Sequence, residues 1–297
     1  MSQDKLQKAL IELYEAIERS LPRKNAQVAR ALDRVRLSIA DILAKYADAD
    51  GVIPRQKLNA LLNELLAIEA EIYRNVREEI RVVLQNTSEQ VAVGLIQAYI
   101  AAVGVGALLG YAGVAQTVVD AYADVGEALF AILMRSTMRR HTDSMVGSAF
   151  RRIGDDGLVL NDRLRNIATI LRKEVEVTLR ESIRKGEGTT EILRRIDRVF
   201  RDHRWRLDTI TETETLFVLR HSVAKFAQDS GTAVALRIID FPHGKPGEHE
   251  RHKCYIYARS NEHGLGRGVY PVGTRKIQNP HPRCRSVLVP VLVDELS

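Results

Sequence analysis

Leucine, isoleucine and valine recur at three- and four-residue steps through roughly the first 85 positions, and this spacing limits the chain's opening more than any other feature. Leu6, Leu10, Leu13 and Ile17 form one such series. Val28, Leu32, Val35, Ile39 and Leu43 form a second, and Leu58, Leu61, Leu62, Leu65, Leu66 and Ile68 begin a third. A 3.6-residue period gathers each series onto one helical face. Pro22 lies between the first two series and is expected to separate them, because proline removes a backbone donor. Asp48-Ala49-Asp50-Gly51 reads as a turn, and Pro54 stands where a first helical turn tolerates proline. The third helix is expected to reach about Leu84. Three long amphipathic helices with short turns imply a bundle or coiled-coil hairpins. The Asp48-x-Asp50-Gly51 run is not read as a calcium loop. With Gly51 at the sixth position of such a loop, Tyr46 and Lys57 fall where oxygen ligands are required.

The segment from Val91 to Val119 contains no charged residue and carries Gly94, Gly104, Gly106, Gly110 and Gly113. Its length meets the criterion for a membrane span, and Gly106-x-x-x-Gly110 would let two helices approach closely. Gln97 and Gln116 interrupt it. A tightly packed buried hairpin, a conditional membrane insertion and a constitutive span all remain open on this composition.

Beyond Arg135 the chain becomes basic. Arg139, Arg140, Arg151, Arg152, Arg163 and Arg165 are candidate phosphate contacts, consistent with a net charge of +6. A solvated arginine-rich surface explains the same composition. Gly154-Asp155-Asp156-Gly157 marks a turn, and a helix is expected from about Asn161 to Lys185. Gly186-Glu187-Gly188 stops it, and Thr189 or Thr190 caps the next helix. A further helix is expected from about Trp205 to Gln228. Strands are expected at Val234–Ile239, Tyr255–Tyr257, Val269–Val272 and Val287–Val293. The fold class is therefore mainly α, with long N-terminal helices and a small C-terminal α+β domain. The expected divisions are 1–87 as long amphipathic helices, 88–158 as an apolar Gly/Ala-rich helical hairpin with a basic connector, and 159–297 as helices followed by a small β-rich end.

Both cysteines fall in the last fifth of the chain, each near a histidine. His252 stands two before Cys254, and His281 three before Cys284. Thiolate and imidazole are the ligands zinc prefers. One disulfide or two inert buried thiols would use the same residues. Sparse cysteine and the lack of an apolar leader after Met1 place the chain, on this reading, in a reducing cytoplasm.

The order of the later segments adds a resemblance. Gly186-Glu187-x-x-x-Glu191-Ile192 opens a helix, Thr211-Glu212-Thr213-Glu214-Thr215 continues it, Cys254 follows, and the end carries His281-Pro282-Arg283-Cys284-Arg285. This arrangement resembles the C-terminal domain of the phage head morphogenesis family, the phage Mu F-like minor capsid proteins, over residues 165–293. That family carries Cys-x-x-Cys and His-Pro-x-Cys-Arg-Cys, whereas this chain has Tyr257 and Ser286 at the second and last thiol positions. The resemblance implies a zinc site retaining Cys254, His281 and Cys284, with His252 or His263 as fourth ligand. His252 and Cys254, read on a strand, would share a face. Thr213 and Glu214 are expected to be structural, with Glu214 pairing with a basic residue of the C-terminal domain.

The function implied by the resemblance is a non-enzymatic minor capsid protein of a tailed phage or prophage, inside the head near the portal. Its expected partners are the portal protein, other head proteins, copies of itself and packaged DNA. A transient membrane contact during ejection is a further expectation for residues 91–119. The alternative function is a metal-dependent nuclease or an ADP-ribosyltransferase-type effector, since His243, His249, His252, His263 and His281 cluster in sequence near the cysteines.

Overall fold

The computed structural model describes residues 2–103, 127–154, 156–231, 233–241 and 249–292, and residues 103 and 127–138 as helical backbone only. The described chain is mainly helical and ends in a small three-stranded sheet. Helix α1 spans Gln3–Tyr46, α2 Leu58–Val103, α3 Glu127–Arg151, α4 Leu160–Lys185 and α5 Thr189–Ser230, followed by the short α6, Lys253–Arg259. The strands are β1 (Ala233–Ile239), β2 (Val269–Pro271) and β3 (Val287–Leu292). They pair antiparallel in the order β2-β1-β3.

Two helices run through positions where the sequence suggested a break. α1 continues through Pro22. The buried positions Ile17, Leu21, Asn25, Val28 and Leu32 keep helical register across it, and Pro22 itself faces outward. Continuous packing on one face offsets the roughly 3 kcal/mol that an interior proline costs. α5 likewise has no break before Trp205. Its inward positions Ile192, Ile196, Phe200 and Leu207 skip one step, which His203 fills. The His203 side chain is largely buried and its Nε2 lies 2.8 Å from Glu174 Oε2. α2 also exceeds its expected end by nearly twenty residues, taking in Val91 to Val103. The remainder of the uncharged segment, residues 104–119, lies outside the described residues. Among the described residues no helix is long and apolar enough to cross a membrane.

The chain divides into two units that do not follow its order. The first comprises Met1–Leu21, Leu84–Ala149 and Glu212–Ser297, and the second Pro22–Val83 and Phe150–Thr211. In the first unit, Leu6, Leu10, Tyr14 and Ile17 of α1 and Leu95 and Tyr99 of α2 share one core with Leu219 and Phe226 of α5. Tyr99 and Phe226 bring their ring centroids to 4.4 Å. Leu236, Ile238, Leu288 and both cysteines belong to the same core. α1 comes so close to α2 that a Cβ on Gly94 would lie 2.6 Å from Leu13 Cδ1. The start of α1 is tied to β3, because the Gln3 side chain donates to the Pro290 carbonyl at 2.9 Å and accepts from the Leu292 amide at 3.1 Å.

The second unit joins the α1–α2 turn to the start of α5. The Asp48 carboxylate accepts from the amides of Asp50 and Val52, which closes the turn expected there. The Thr189 amide then donates to the Gly51 carbonyl at 2.9 Å. Polar ties on the flanks run from Glu69 to Thr169 and Arg172, and from Glu79 to Gln27 and Arg34.

Candidate metal centre

Three short pieces of the first unit bring thiols and imidazoles together. A single 3-10 turn, His249–Arg251, presents His249. It leads directly into α6, where His252 is the capping residue and Cys254 the second helical residue. The loop before β3 supplies His281 and Cys284. The expected strand at Tyr255–Tyr257 is therefore a helix, which changes the basis on which His252 and Cys254 meet. Alternation would have buried Ile256 beside Cys254, yet Ile256 is 52% exposed while Cys254 is fully buried. Burial at Cys254, with Tyr257 and Ala258 packed in part against the core, follows the helical step of three and four.

The donors fall into two overlapping sets. His249, His252 and Cys254 form one, and Cys254, His281 and Cys284 the other. Within each set the candidate ligand atoms lie within 4.8 Å of one another. Ligands around a tetrahedral zinc at ordinary bond lengths stand about 3.3–3.8 Å apart, so a shift of about an ångström would close either set. Cys254 Sγ and His281 Nε2 are already 3.1 Å apart. The rings of His252 and His281 lie 4.7 Å apart, and those of His249 and His252 5.7 Å. Both cysteines are free thiols, so the disulfide alternative is set aside.

The histidines are oriented from behind. His281 Nδ1 lies 2.8 Å from the Pro282 carbonyl. A carbonyl only accepts, so that nitrogen carries the proton and Nε2 presents a lone pair toward Cys254. His249 Nε2 lies 2.9 Å from Asp240 Oδ2, leaving Nδ1 as the ligating atom. This carboxylate–histidine pairing is the usual support behind a metal-binding imidazole. Asp240 is itself held by Arg259 at 3.0 Å, whose guanidinium lies over the Tyr255 ring. Burial would raise the Asp240 carboxyl, but its bonds to His249 and Arg259 hold it below the usual range.

A fully buried arginine underlies the loop. Arg220 of α5 donates to the carbonyls of Gln278 and Cys284, both at 2.7 Å, and to that of Ser286 at 3.4 Å. Burial works to raise the Cys284 thiol, but the hydrogen bond from Cys254, the Arg220 charge and His281 together pull it well below the ordinary thiol range. Cys254 moves the opposite way, raised by its bond to Cys284 and by burial. Burial also opposes protonation of His281, yet its hydrogen bond to Cys284 and that group's charge raise it. The cluster thus favours the thiolate form of Cys284, the form that a cation binds.

The resemblance left two thiol positions to account for. Ser286 sits with its hydroxyl 3.0 Å from Cys284 Sγ, so it serves as a hydrogen-bond partner to the sulfur. Tyr257 turns its ring to Tyr270, with centroids 6.3 Å apart. His263 is exposed, its ring 5.6 Å from that of Tyr270, and it joins neither donor set. His249, which the sequence reading did not single out as a ligand, joins His252 and Cys254 in one donor set. His243 lies outside the described residues.

The helix expected to be structural touches the loop directly. The Arg283 amide donates to Thr213 Oγ1 at 3.1 Å, and its guanidinium pairs with Glu212 at 2.8 Å. An ion pair to the loop is made by Glu212, two residues before Glu214, and Glu214 itself is buried. Arg283 holds a left-handed backbone at φ 54°, alone among the described non-glycine residues. Arg285 adds a third tether, to Glu18 of α1 at 2.9 Å.

The candidate phosphate contacts do not gather in one unit. Arg139 and Arg140 are exposed on α3 of the first unit. Arg151, Arg152, Arg163 and Arg165 belong to the second. There Arg163 is engaged by Asp156 at 2.6 Å, and Arg165 lies over the Tyr73 ring.

Arg220 and Asp240 carry no sequence signal of their own, and His249 stood out only as one of several nearby histidines. The spacing His249-x-x-His252-x-Cys254, taken as one unit, would have identified the donor group. Comparison of the chain with protein-family models, curated proteins and solved structures returned no match.

Proposed function

We propose that one zinc ion staples the C-terminal part of the first unit and that its role is structural. Cys254, His281 and Cys284 would hold it, with a histidine of the 249–252 turn completing four ligands. The carrying observation is that two fully buried thiols of the core meet three imidazoles at its edge, in two donor sets that share Cys254. Buried cysteine and histidine sets that fill every position are structural sites, whereas catalytic zinc keeps one position open. What the ion supplies is a cross-link between α6 and the loop before β3, in a region whose sheet has three short strands. A hydrolytic site would also need a carboxylate to act on water. Asp240, the carboxylate hydrogen-bonded to the cluster, is engaged by His249 and Arg259.

Elemental analysis of the purified full chain tests this reading. The expected result is about one zinc per chain, lost in Cys284→Ala together with thermal stability. Zinc-free protein whose two thiols both react in the native state would overturn it.

At the level of the organism, the reading is a minor capsid protein of a tailed phage or prophage. It would lie within the head near the portal, with packaged DNA, portal protein and other head proteins as partners. Support comes from the two segments that carry the family resemblance, which are bonded to each other through Thr213, Glu212 and Arg283. The basic excess suits a non-specific contact with packaged DNA. Mass spectrometry of heads purified after prophage induction provides the test. The chain is expected in full heads at a few copies each, and its absence from them would refute this assignment.

A further inference from the structure

The second unit carries a feature that the zinc and head-protein readings do not use. Arg194, Arg198, Arg201 and Trp205 follow one another on α5 at steps of four, three and four residues. This spacing places them along one helical face, about one turn apart. All four are exposed, and Trp205 is 57% exposed although it is the only tryptophan in the chain. Arg206 places its guanidinium 4.8 Å from the Trp205 ring centroid.

The charges on this face are unevenly engaged. Glu191 takes Arg194 at 2.6 Å, and Asp208 stands 4.0 Å from Arg204. Arg198 and Arg201 form no ion pair among the described residues. Asp197, between them in sequence, is occupied by Arg36 at 3.4 Å. Two guanidinium groups without an ion pair among the described residues, Arg201 donating only to the Asp197 carbonyl at 3.4 Å, therefore lead, one turn at a time, to an exposed indole.

We propose that this face of α5 binds single-stranded nucleic acid, with Arg198 and Arg201 on successive phosphates and Trp205 stacked on an unpaired base. Guanidinium groups bind phosphate oxygens well, and an aromatic face stacks on any base that is out of a duplex. A duplex keeps its bases stacked on one another and offers phosphates alone. A membrane-docking helix would surround its tryptophan with further bulky apolar residues. Here the neighbours are Arg201, Asp202, Arg204 and Arg206, while the nearest apolar residues, Phe200 and Leu207, are buried in the core. This contact is separate from the arginines of the basic middle and does not depend on the metal.

The lone tryptophan makes the test direct. The full chain is titrated with a dT oligomer at low and moderate salt, following Trp205 fluorescence and the anisotropy of labelled DNA. A duplex and anionic vesicles are titrated alongside. The expected result is quenching by the oligomer, weaker duplex binding, and affinity that falls with salt at a slope for about two phosphates. Arg198→Gln with Arg201→Gln should flatten that slope. Trp205→Ala should weaken binding by roughly tenfold and leave the slope unchanged. These positions are on the surface, so circular dichroism and thermal melting of the variants should match the parent. Equal affinity for duplex and single strand, untouched by Trp205→Ala, would overturn the stacking assignment. Fluorescence that responds only to vesicles, or to neither ligand, would overturn the proposal as a whole.

Discussion

The Arg220 side chain lies fully buried with its Nη1 2.7 Å from the carbonyl oxygen of Cys284. This one guanidinium spans three carbonyls of the segment that carries His281 and Cys284. Its fork geometry allows several hydrogen bonds to be made at once. The loop's shape is therefore set from α5, before any cation is considered.

Arg220→Met should be among the most damaging single changes in the first unit. It removes charge-assisted hydrogen bonds worth roughly 1.5–3 kcal/mol each and strands buried acceptors. A loss on the order of 3 kcal/mol or more is expected in urea unfolding of metal-free protein. Arg220→Lys should recover only part of it, because an ammonium cannot span the Gln278 and Cys284 carbonyls in the same way. Equal stability of Arg220→Met and the parent would show that the loop is held by its other tethers alone.

Gly268 lies against both the end of α6 and β1, close to the Ala258 and Ile238 carbonyls. Its φ is +71°, and an added Cβ would lie 2.7 Å from the Ala258 carbonyl oxygen. Its own carbonyl accepts from the Ile238 amide, and its amide donates to Ser260. Gly157 has a similar φ of +74° but nothing within 4 Å of that position. Gly157→Ala should cost about 1–2 kcal/mol for the left-handed backbone alone. Gly268→Ala should cost clearly more, because backbone must move, and the difference between the two midpoints in denaturant isolates the clash.

Much of this architecture could be read from the sequence, and the misreadings share a physical origin. Over the first 85 residues or so the apolar period picked out the buried helical faces, because it directly reflects burial. It failed at Pro22 because one proline's local cost is smaller than the packing on both sides of it. It failed at Tyr255-Ile256-Tyr257 because a seven-residue helix with one buried face looks like alternation over so short a window. The metal donors were partly legible, since Cys254, His281 and Cys284 are few and distinctive. Arg220 was not, because an arginine in an apolar run signals either a surface or a buried clamp, and only the carbonyls around it decide which. The interleaving of the two units has no local signature at all.

His141 should make the first unit sensitive to mild acid. Burial, reinforced by the neighbouring His221, lowers its pKa from the ordinary 6.5 to about 4. The folded state holds it neutral while the unfolded state protonates it, so unfolding takes up a proton between these values. The contribution is fully present above pH 6.5 and is lost as pH falls toward 4. It amounts to on the order of 3 kcal/mol over that range. His141→Leu should flatten the stability profile between pH 6.5 and 4 relative to the parent, as measured by chemical denaturation at each pH. Parallel profiles would show that His141 titrates normally.

Asp240 distinguishes the two histidines that compete for the fourth metal position. Its Oδ2 lies 2.9 Å from His249 Nε2, and Arg259 Nη1 holds the same oxygen at 3.0 Å. If His249 is the ligand, Asp240→Asn removes the charge that makes its imidazole a better donor. Zinc affinity should then fall by about 10–100-fold, measured by competition with a chromophoric chelator. His249→Ala should lose more than His252→Ala in the same assay. Cobalt substitution gives an independent reading, because the thiolate-to-cobalt band reports Cys254 and Cys284 and should survive Asp240→Asn. It should weaken by about half in Cys254→Ala, where one of the two thiolates is gone. Unchanged affinity in both Asp240→Asn and His249→Ala, with loss in His252→Ala, would assign the position to His252. Asp240 and His249 would then be a tie between β1 and the 249–251 turn, outside the metal's reach.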